Sequence, residues 1–267
     1  MTSETQPTET AIRQALASLF AKGQQLDAAV NRLLLPENSL APADVTIEDV
    51  DLDLQRATRC GFPEVVFGEG KSTELILRIL SAQQTAGQDS LVTRVRTDQA
   101  TAIKLQFDKA IHNDSARTIR IHQSSTRAES VSRGGPVFVL TAGSSDRHVA
   151  EEAIETLRWM KIDSELIQDI GVAGPHRLQK HVSRLQSAAA IVCVAGMEAA
   201  LPSVVGGYVA CPVIGVPTSV GYGASLNGIT AMLSMLTCCA SNVVSVNIDA
   251  GFKGGYVAGL IASRMGK

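Results

Sequence analysis

Charge is missing from the middle of this sequence. Between Glu198 and Asp249, residues 199–248, there is no Asp, Glu, Lys or Arg. No long unbroken apolar run takes its place. Pro202, Pro212 and Pro217 interrupt the stretch, as do glycines from Gly206 to Gly228, and a spanning helix needs about 20 continuous apolar residues. A membrane span is therefore excluded. The stretch must be covered by the chain's own core, by a second copy or by a ligand, and it predicts a homo-oligomer. Aromatics are scarce, with one Trp in 267 residues, which argues against a stacking platform for single-stranded nucleic acid. The net charge of −2 supplies no basic field for a nucleic-acid partner. Five cysteines (Cys60, Cys193, Cys211, Cys238, Cys239) are an odd number with no CxxC pair. That spacing excludes a zinc ribbon, a thioredoxin motif and a disulfide framework, and reduced thiols fit a cytoplasmic protein. The histidines show no HxxxH spacing, so no structural metal site is expected. The N-terminus MTSETQPTET has neither a positive start nor an apolar run, and no signal peptide is read.

What is present divides by its periodicity. Residues 1–10 read as a disordered tail, and 11–123 as a smaller α+β N-terminal domain. It begins with helices over 11–23 and 26–35. A single exposed strand over 45–54, strands at EVVFG and 90–95, a helix over KSTELILRILSAQQTAG, a helix over 98–110 and a strand over 117–123 follow. SSTRAESVSRGG (124–135) is a polar linker. From 136 to 267 the pattern becomes strict alternation of apolar strand runs with helices, which predicts an α/β domain on a parallel sheet. Helices are expected over 148–161, 174–187, 224–239 and 254–265. In such sheets ligands bind beyond the C-terminal ends of the strands. Those ends carry AGSSD (142–146), GVAGPHR (171–177), AGME (195–198), PTSVGYG (217–223) and NIDAG (247–251).

Several of these loops hold candidate site residues. In TAGSSD, Gly143 lets a ligand approach the backbone, and Ser144, Ser145 and Asp146 open a helix. The group reads as a phosphate site or as a simple helix cap. Gly174, His176 and Arg177 offer a polar turn with a cation for phosphate or substrate. GEGKS (68–72) is not a true P-loop, because Val65 occupies the position of its first glycine. Lys71 is still free to meet an anion. Glu198 is read as the first residue of a helix, either as a cap or as a buried general base. Cys238 and Cys239 are read as ending the helix over 224–239, where a thiolate would need a cationic neighbour or substrate.

Together these segments resemble a known family. AGSSD and GVAGPHR are similar to the phosphate and SAHR-type loops of PurE-type aminoimidazole ribonucleotide carboxylase. RATRCGFPEVVFGEGKS, EEAIETL, VCVAGMEAALPSVVGG, CPVIGVPTSVGYGAS, CCAS and NIDAGFKGGY resemble the LarB family over about residues 50–260. The resemblance implies a PurE-like, Rossmann-like parallel-sheet C-terminal domain and an octamer-like homo-oligomer. It implies the partners nicotinic acid adenine dinucleotide and CO2. The ring is carboxylated and the phosphoanhydride hydrolysed, giving pyridinium-3,5-biscarboxylic acid mononucleotide and AMP for nickel-pincer cofactor biosynthesis. Cys239 matches the family's nucleophile and Glu198 its acid. Cys238 stands where the family has a small residue. Ser219, Gly221, Tyr222 and Gly223, with Ser144 and Ser145, are expected to hold the phosphates. Apart from the resemblance, Lys71 or Arg59 is expected at the ring carboxylate as a nearby cation. No tightly bound cofactor is implied, with Mg²⁺ left open. Two other readings stay open: a purine-pathway carboxylase or mutase, and a nucleotide-binding module without chemistry.

Overall fold

The computed structural model describes residues 45–47, 50–123 and 134–265. The tail, the helices expected over 11–23 and 26–35, and linker residues 124–133 lie outside the described residues. The chain forms two compact units, Met1–Glu64 and Val65–Lys267.

In the first unit, the segment 45–54 is a hairpin rather than one strand. Strands β1 (Val45–Ile47) and β2 (Val50–Leu52) pair antiparallel, with Val45 opposite Leu52. The alternation is the same for one strand or for two, so periodicity could not locate the turn. Helix α1 (Arg56–Cys60) follows and closes on Gly61, whose φ of 87° is the left-handed conformation that glycine tolerates best.

The second unit contains two sheets. The smaller one comprises β3 (Val66–Phe67), β4 (Ser90–Thr93), β5 (Ala110–Asn113) and β6 (Thr118–Ile121), in the order β3-β4-β6-β5. Its helices are α2 (Thr73–Thr85) and α3 (Thr97–Gln106). The Ser72 hydroxyl caps α2 by accepting the Leu75 N–H at 3.1 Å. Helix α3 stops short of the expected residue 110. Phe107 turns extended and buries its ring, and Ala110–Asn113 pairs with β6 instead.

The larger sheet has five parallel strands: β7 (Val137–Thr141), β8 (Ser164–Ile167), β9 (Ala190–Ala195), β10 (Val213–Pro217) and β11 (Val243–Ser245). Their order is β11-β10-β9-β7-β8, the doubly wound arrangement whose direction of winding reverses between β7 and β9. Every residue of β7, β9 and β10 is buried, because helices cover both faces of a parallel sheet. Each fully buried Val or Ile contributes about 1.5–3 kcal/mol. The covering helices are α4 (Arg147–Trp159), α5 (Pro175–Gln179), α6 (Val182–Leu185), α7 (Leu201–Gly206), α8 (Ile229–Leu236) and α9 (Gly251–Arg264). Among the described residues no helix is long and apolar enough to cross a membrane.

Two helices read from the sequence are broken. Residues 174–187 form α5 and α6, separated by the turn at Lys180–His181. The segment 224–239 begins as a 3-10 turn (Gly223–Gly228) in which Leu226 and Asn227 adopt positive φ of 47° and 52°. Gly228, at φ 92°, then restarts the chain as α8. A side chain at Gly228 would sit 2.7 Å from the Thr218 carbonyl, so close packing against the end of β10 imposes the break.

Helix α4 packs against α9, β7 and β8 and also against β4 and β6 of the smaller sheet. Its Glu152 and Glu155 are consequently buried, and arginines from the smaller sheet pair with both. Arg94 Nε lies 3.1 Å from Glu152, and Arg120 Nε lies 2.6 Å from Glu155. On the other side, α9 approaches α4 through Gly255. A Cβ there would lie 2.6 Å from the Ala153 carbonyl.

Candidate active site

The cleft lies where the winding reverses. Its floor is built by the segments leaving β7 and β9. After Thr141 the chain passes through Ala142 and Gly143 into a 3-10 turn (Ser144–Asp146) and then α4. After Ala195 it passes through Gly196. A Cβ at Gly196 would stand 2.6 Å from the Thr218 hydroxyl, so only glycine lets the two loops meet. The cleft offers about 310 Å³ and is open to solvent, within the size range of small-ligand sites.

Asp146 ties these loops together. It is 3% exposed. One oxygen accepts the Gly143 N–H at 2.9 Å, and the other accepts the Thr218 hydroxyl at 2.7 Å. Burial pushes this carboxyl up, and the Thr218 hydroxyl and Gly143 N–H pull back only part of the shift. Asp146 lines the cleft while its oxygens are engaged inside the protein. Ser145 also lines the cleft, whereas Ser144 does not.

Glu198 lines the same cleft. It does not begin a helix. It occupies a turn between Met197 and Ala199, whose φ values are 53° and 51°. Helix α7 starts three residues later, at Leu201. Two reversals flanking Glu198, of a kind L-residues rarely adopt, hold this carboxylate out, a kind of backbone strain typical of functional sites. The Met197 N–H donates to the Val220 carbonyl at 3.0 Å and anchors the turn to the loop after β10. The expectation of a buried base is also corrected: the Glu198 side chain is exposed.

Arg177 supplies the opposite charge to the cleft. Its guanidinium pairs with Asp169 at 2.7 Å. The Asp169 N–H in turn donates to the Thr141 hydroxyl at 3.0 Å. Gly174 leaves room for the guanidinium, since a Cβ there would lie 2.7 Å from Arg177 Nε. His176 is exposed and lies outside the lining.

The loop after β10 contributes Val220 to the cleft wall. Ser219, Gly221, Tyr222 and Gly223 are exposed beside it. The Ser219 N–H donates to the Asp249 carboxylate at 2.8 Å. Lys71 lies in the turn before α2 and does not line the cleft, and its carbonyl accepts from Gln99 at 3.0 Å. Arg59 belongs to the first unit and pairs with Asp53 at 2.5 Å.

Cys239 is not in the cleft. Helix α8 ends at Leu236, and the loop 237–242 then leads into the start of β11. Asn242 fastens that loop to the carbonyls of Val209 and Cys211 at 3.0 and 3.1 Å, just ahead of β10. The loop therefore sits at the N-terminal edge of the parallel strands, and the cleft sits at their C-terminal edge. The six residues of β9 separate the two edges by roughly 20 Å. Cys239 is exposed there, and the Cys238 sulfur accepts the Ala240 N–H at 3.4 Å. Sequence reasoning put both cysteines at the end of a helix over 224–239, and the resemblance made Cys239 the nucleophile of the site. An antiparallel return helix carries them to the far edge instead.

Among the described residues no cluster of three or more His, Cys, Asp or Glu side chains could hold a metal ion. Sequence reasoning also missed three residues that stand behind the cleft lining. Thr218 follows β10 directly, which is a usable signal, and Asp169 comes two residues after β8. Arg94 gives no local signal at all.

Two family models match the chain in succession. Residues 45–123 match the LarB/PurE-like N-terminal domain, and residues 136–266 match AIR carboxylase. The chain belongs to the LarB family. This LarB-family chain is 39% identical over 228 residues to an uncharacterised protein of Methanocaldococcus jannaschii, covering 82% of the present chain and 86% of that protein. A crystal structure of a Treponema denticola PurE2 variant aligns with a TM-score of 0.39 and 21% identity. That alignment covers 49% of this chain and 79% of the other. The order of matched domains supports a carboxylase-type enzyme of LarB or PurE character.

Proposed function

We propose that this LarB-family enzyme carboxylates the pyridinium ring of nicotinic acid adenine dinucleotide and hydrolyses its phosphoanhydride. The products are pyridinium-3,5-biscarboxylic acid mononucleotide and AMP. The observation carrying this reading is the pairing of charges in one apolar cleft. Arg177 suits an anionic phosphate or carboxylate, and Glu198 suits a cationic ring and the proton that carboxylation releases.

The chemistry needs a nucleophile because a pyridinium ring does not attack CO2. The Cys239 thiolate adds para to the ring nitrogen, and the ring electrons move onto that nitrogen to give an enamine. The meta carbon then bonds to CO2, which becomes the new carboxylate. Glu198 takes the proton from that carbon. The nitrogen lone pair finally expels the thiolate and restores aromaticity. No electron is gained or lost overall, and water supplies the hydrolysis that releases AMP. Asp146 and Asp249 hold backbone and hydroxyl groups, so neither fits a direct Mg²⁺ ligand. A Mg²⁺ requirement would be met by substrate phosphates and water.

Within one chain the thiol and the carboxylate lie on opposite sheet edges. This reading therefore requires that Cys239 of one copy face the cleft of another. An apolar stripe beside the cysteine loop supports such an assembly. Ile229, Leu233 and Leu236 are exposed at helical spacing on α8, Leu226 is exposed in the turn before it, and Val244 is exposed on the edge strand β11.

Mass spectrometry of reactions with the dinucleotide and bicarbonate tests the proposal. A doubly carboxylated mononucleotide with AMP is expected from the wild type. Cys239→Ala is expected to abolish it. AMP without carboxylated product would make the enzyme a hydrolase only. An untouched dinucleotide would sink the substrate assignment.

A further inference from the structure

The smaller sheet reaches the segment between β11 and α9 through one side chain. Arg94 follows β4 with φ 55°. Its Nε donates to Glu152 at 3.1 Å, and its Nη2 donates to the Asp249 main-chain carbonyl. Glu152 also accepts the Phe252 N–H at 3.1 Å, in the first turn of α9. Asp249 is thus gripped beside the N-terminus of α9. It is itself a positive-φ residue, at 54°.

From Asp249 the connection runs to Glu198. The Asp249 N–H donates to the Pro217 carbonyl at 2.8 Å. Its carboxylate accepts the Ser219 N–H at 2.8 Å. The next residue, Val220, accepts the Met197 N–H at 3.0 Å, and Met197 adjoins Glu198. From Arg94 to Glu198 the links are hydrogen bonds joined by the Ser219–Val220 and Met197–Glu198 peptide bonds, and the only side chains on the route are those of Arg94 and Asp249.

We propose that Arg94 is a positioning residue through which the smaller sheet fixes the Glu198-bearing wall of the cleft. Without its guanidinium, the Asp249 carbonyl loses a charged donor and Glu152 loses its cation. The residue holding Ser219 is then free to shift. The loop 217–223 and the strained turn at 197–199 lose their common anchor. The geometric part of this inference stands on the structure alone. Its catalytic consequence rests on the reaction proposed above.

Hydrogen–deuterium exchange on the ligand-free full chain tests it without reference to any substrate. Arg94→Ala is expected to speed exchange across 217–223 by about tenfold or more, as loss of a charged hydrogen bond implies. Arg94→Lys should speed it less, because a point charge reaches one acceptor where the fork reaches two. Arg120→Ala removes the Glu155 pair, three residues further along α4 and without a link to Asp249, and should leave 217–223 unchanged. With the dinucleotide, Arg94→Ala should lower kcat by about tenfold and move KM much less. Unchanged exchange in Arg94→Ala overturns the proposal. Equal acceleration in Arg120→Ala also overturns it, since the effect would then be general loosening. If Arg94→Ala fails to fold, Arg94→Lys decides by the same peptide. Faster exchange in Arg94→Ala with no turnover even by the wild type would uphold the positioning role and reject the assigned substrate.

Discussion

Asp89 shows how a single carboxylate can bind the two sheets together. Its oxygens receive His122 at 3.1 Å, Lys161 at 2.9 Å and the Gln123 N–H at 2.8 Å. Burial pushes this carboxyl up, but the three donors outweigh burial and hold it well below the usual carboxylate range. A depressed folded value means stability that is present above the unfolded value, near 3.9. It is lost as pH falls through the folded value. Asp89→Asn should therefore cost about 1–3 kcal/mol at pH 7. Its thermal midpoint should approach that of the wild type as pH falls below about 4. An equal gap at pH 7 and pH 3 would contradict the assignment. Gly143 and Glu198 were legible in the sequence because each comes within three residues of the end of an apolar strand run, and Arg177 because it lies in a glycine- and proline-marked loop after another. Arg94 was not, since its partner Asp249 lies 155 positions away. The engagement of Asp146 was likewise hidden, because Thr218 is 72 positions away.

Helix α9 meets α4 along Gly251, Gly255 and Gly259, spaced so that one face carries no side chains. The obstacles facing the last two differ. At Gly255 a methyl would meet the Ala153 backbone, which cannot yield. At Gly259 it would meet the flexible end of Met160. Alanine gains up to about 1 kcal/mol over glycine in a helix. Gly259→Ala should thus be nearly neutral, while Gly255→Ala should cost about 1–3 kcal/mol. Thermal unfolding checks this, and equal costs would refute it. The strands of the larger sheet were legible because burial on both faces leaves nearly continuous apolar runs. The break at Leu226–Gly228 was not. The apolar spacing continues through it, and its cause is the Thr218 carbonyl pressing on Gly228, a contact between elements. The hairpin at 45–52 escaped for the converse reason: its alternation fits one strand as well as two.

On the proposed reaction, the opposite placement of Glu198 and Cys239 makes assembly a requirement for turnover. Cys239→Ala and Glu198→Gln chains, each inactive alone, should regain activity when unfolded and refolded together. Equal mixing should restore up to about a quarter of the wild-type sites, since each site draws one group from each of two copies. No recovery would place both groups in one subunit after all. Light scattering should find an oligomer at micromolar concentration. Helix α4 carries a different consequence, one for modularity. Its Glu152 and Glu155 are buried, and Arg94 and Arg120 come from the half of the chain that precedes it. Excising that half would leave Glu152 with no side-chain cation and Glu155 with only Arg158, and an uncompensated buried charge costs several kcal/mol. The carboxylase half of this molecule is therefore not a portable cassette. Recombination that exchanged one half for a foreign counterpart would have to supply matching arginines or surrender the acids on α4, so the two halves are bound to be inherited as a pair.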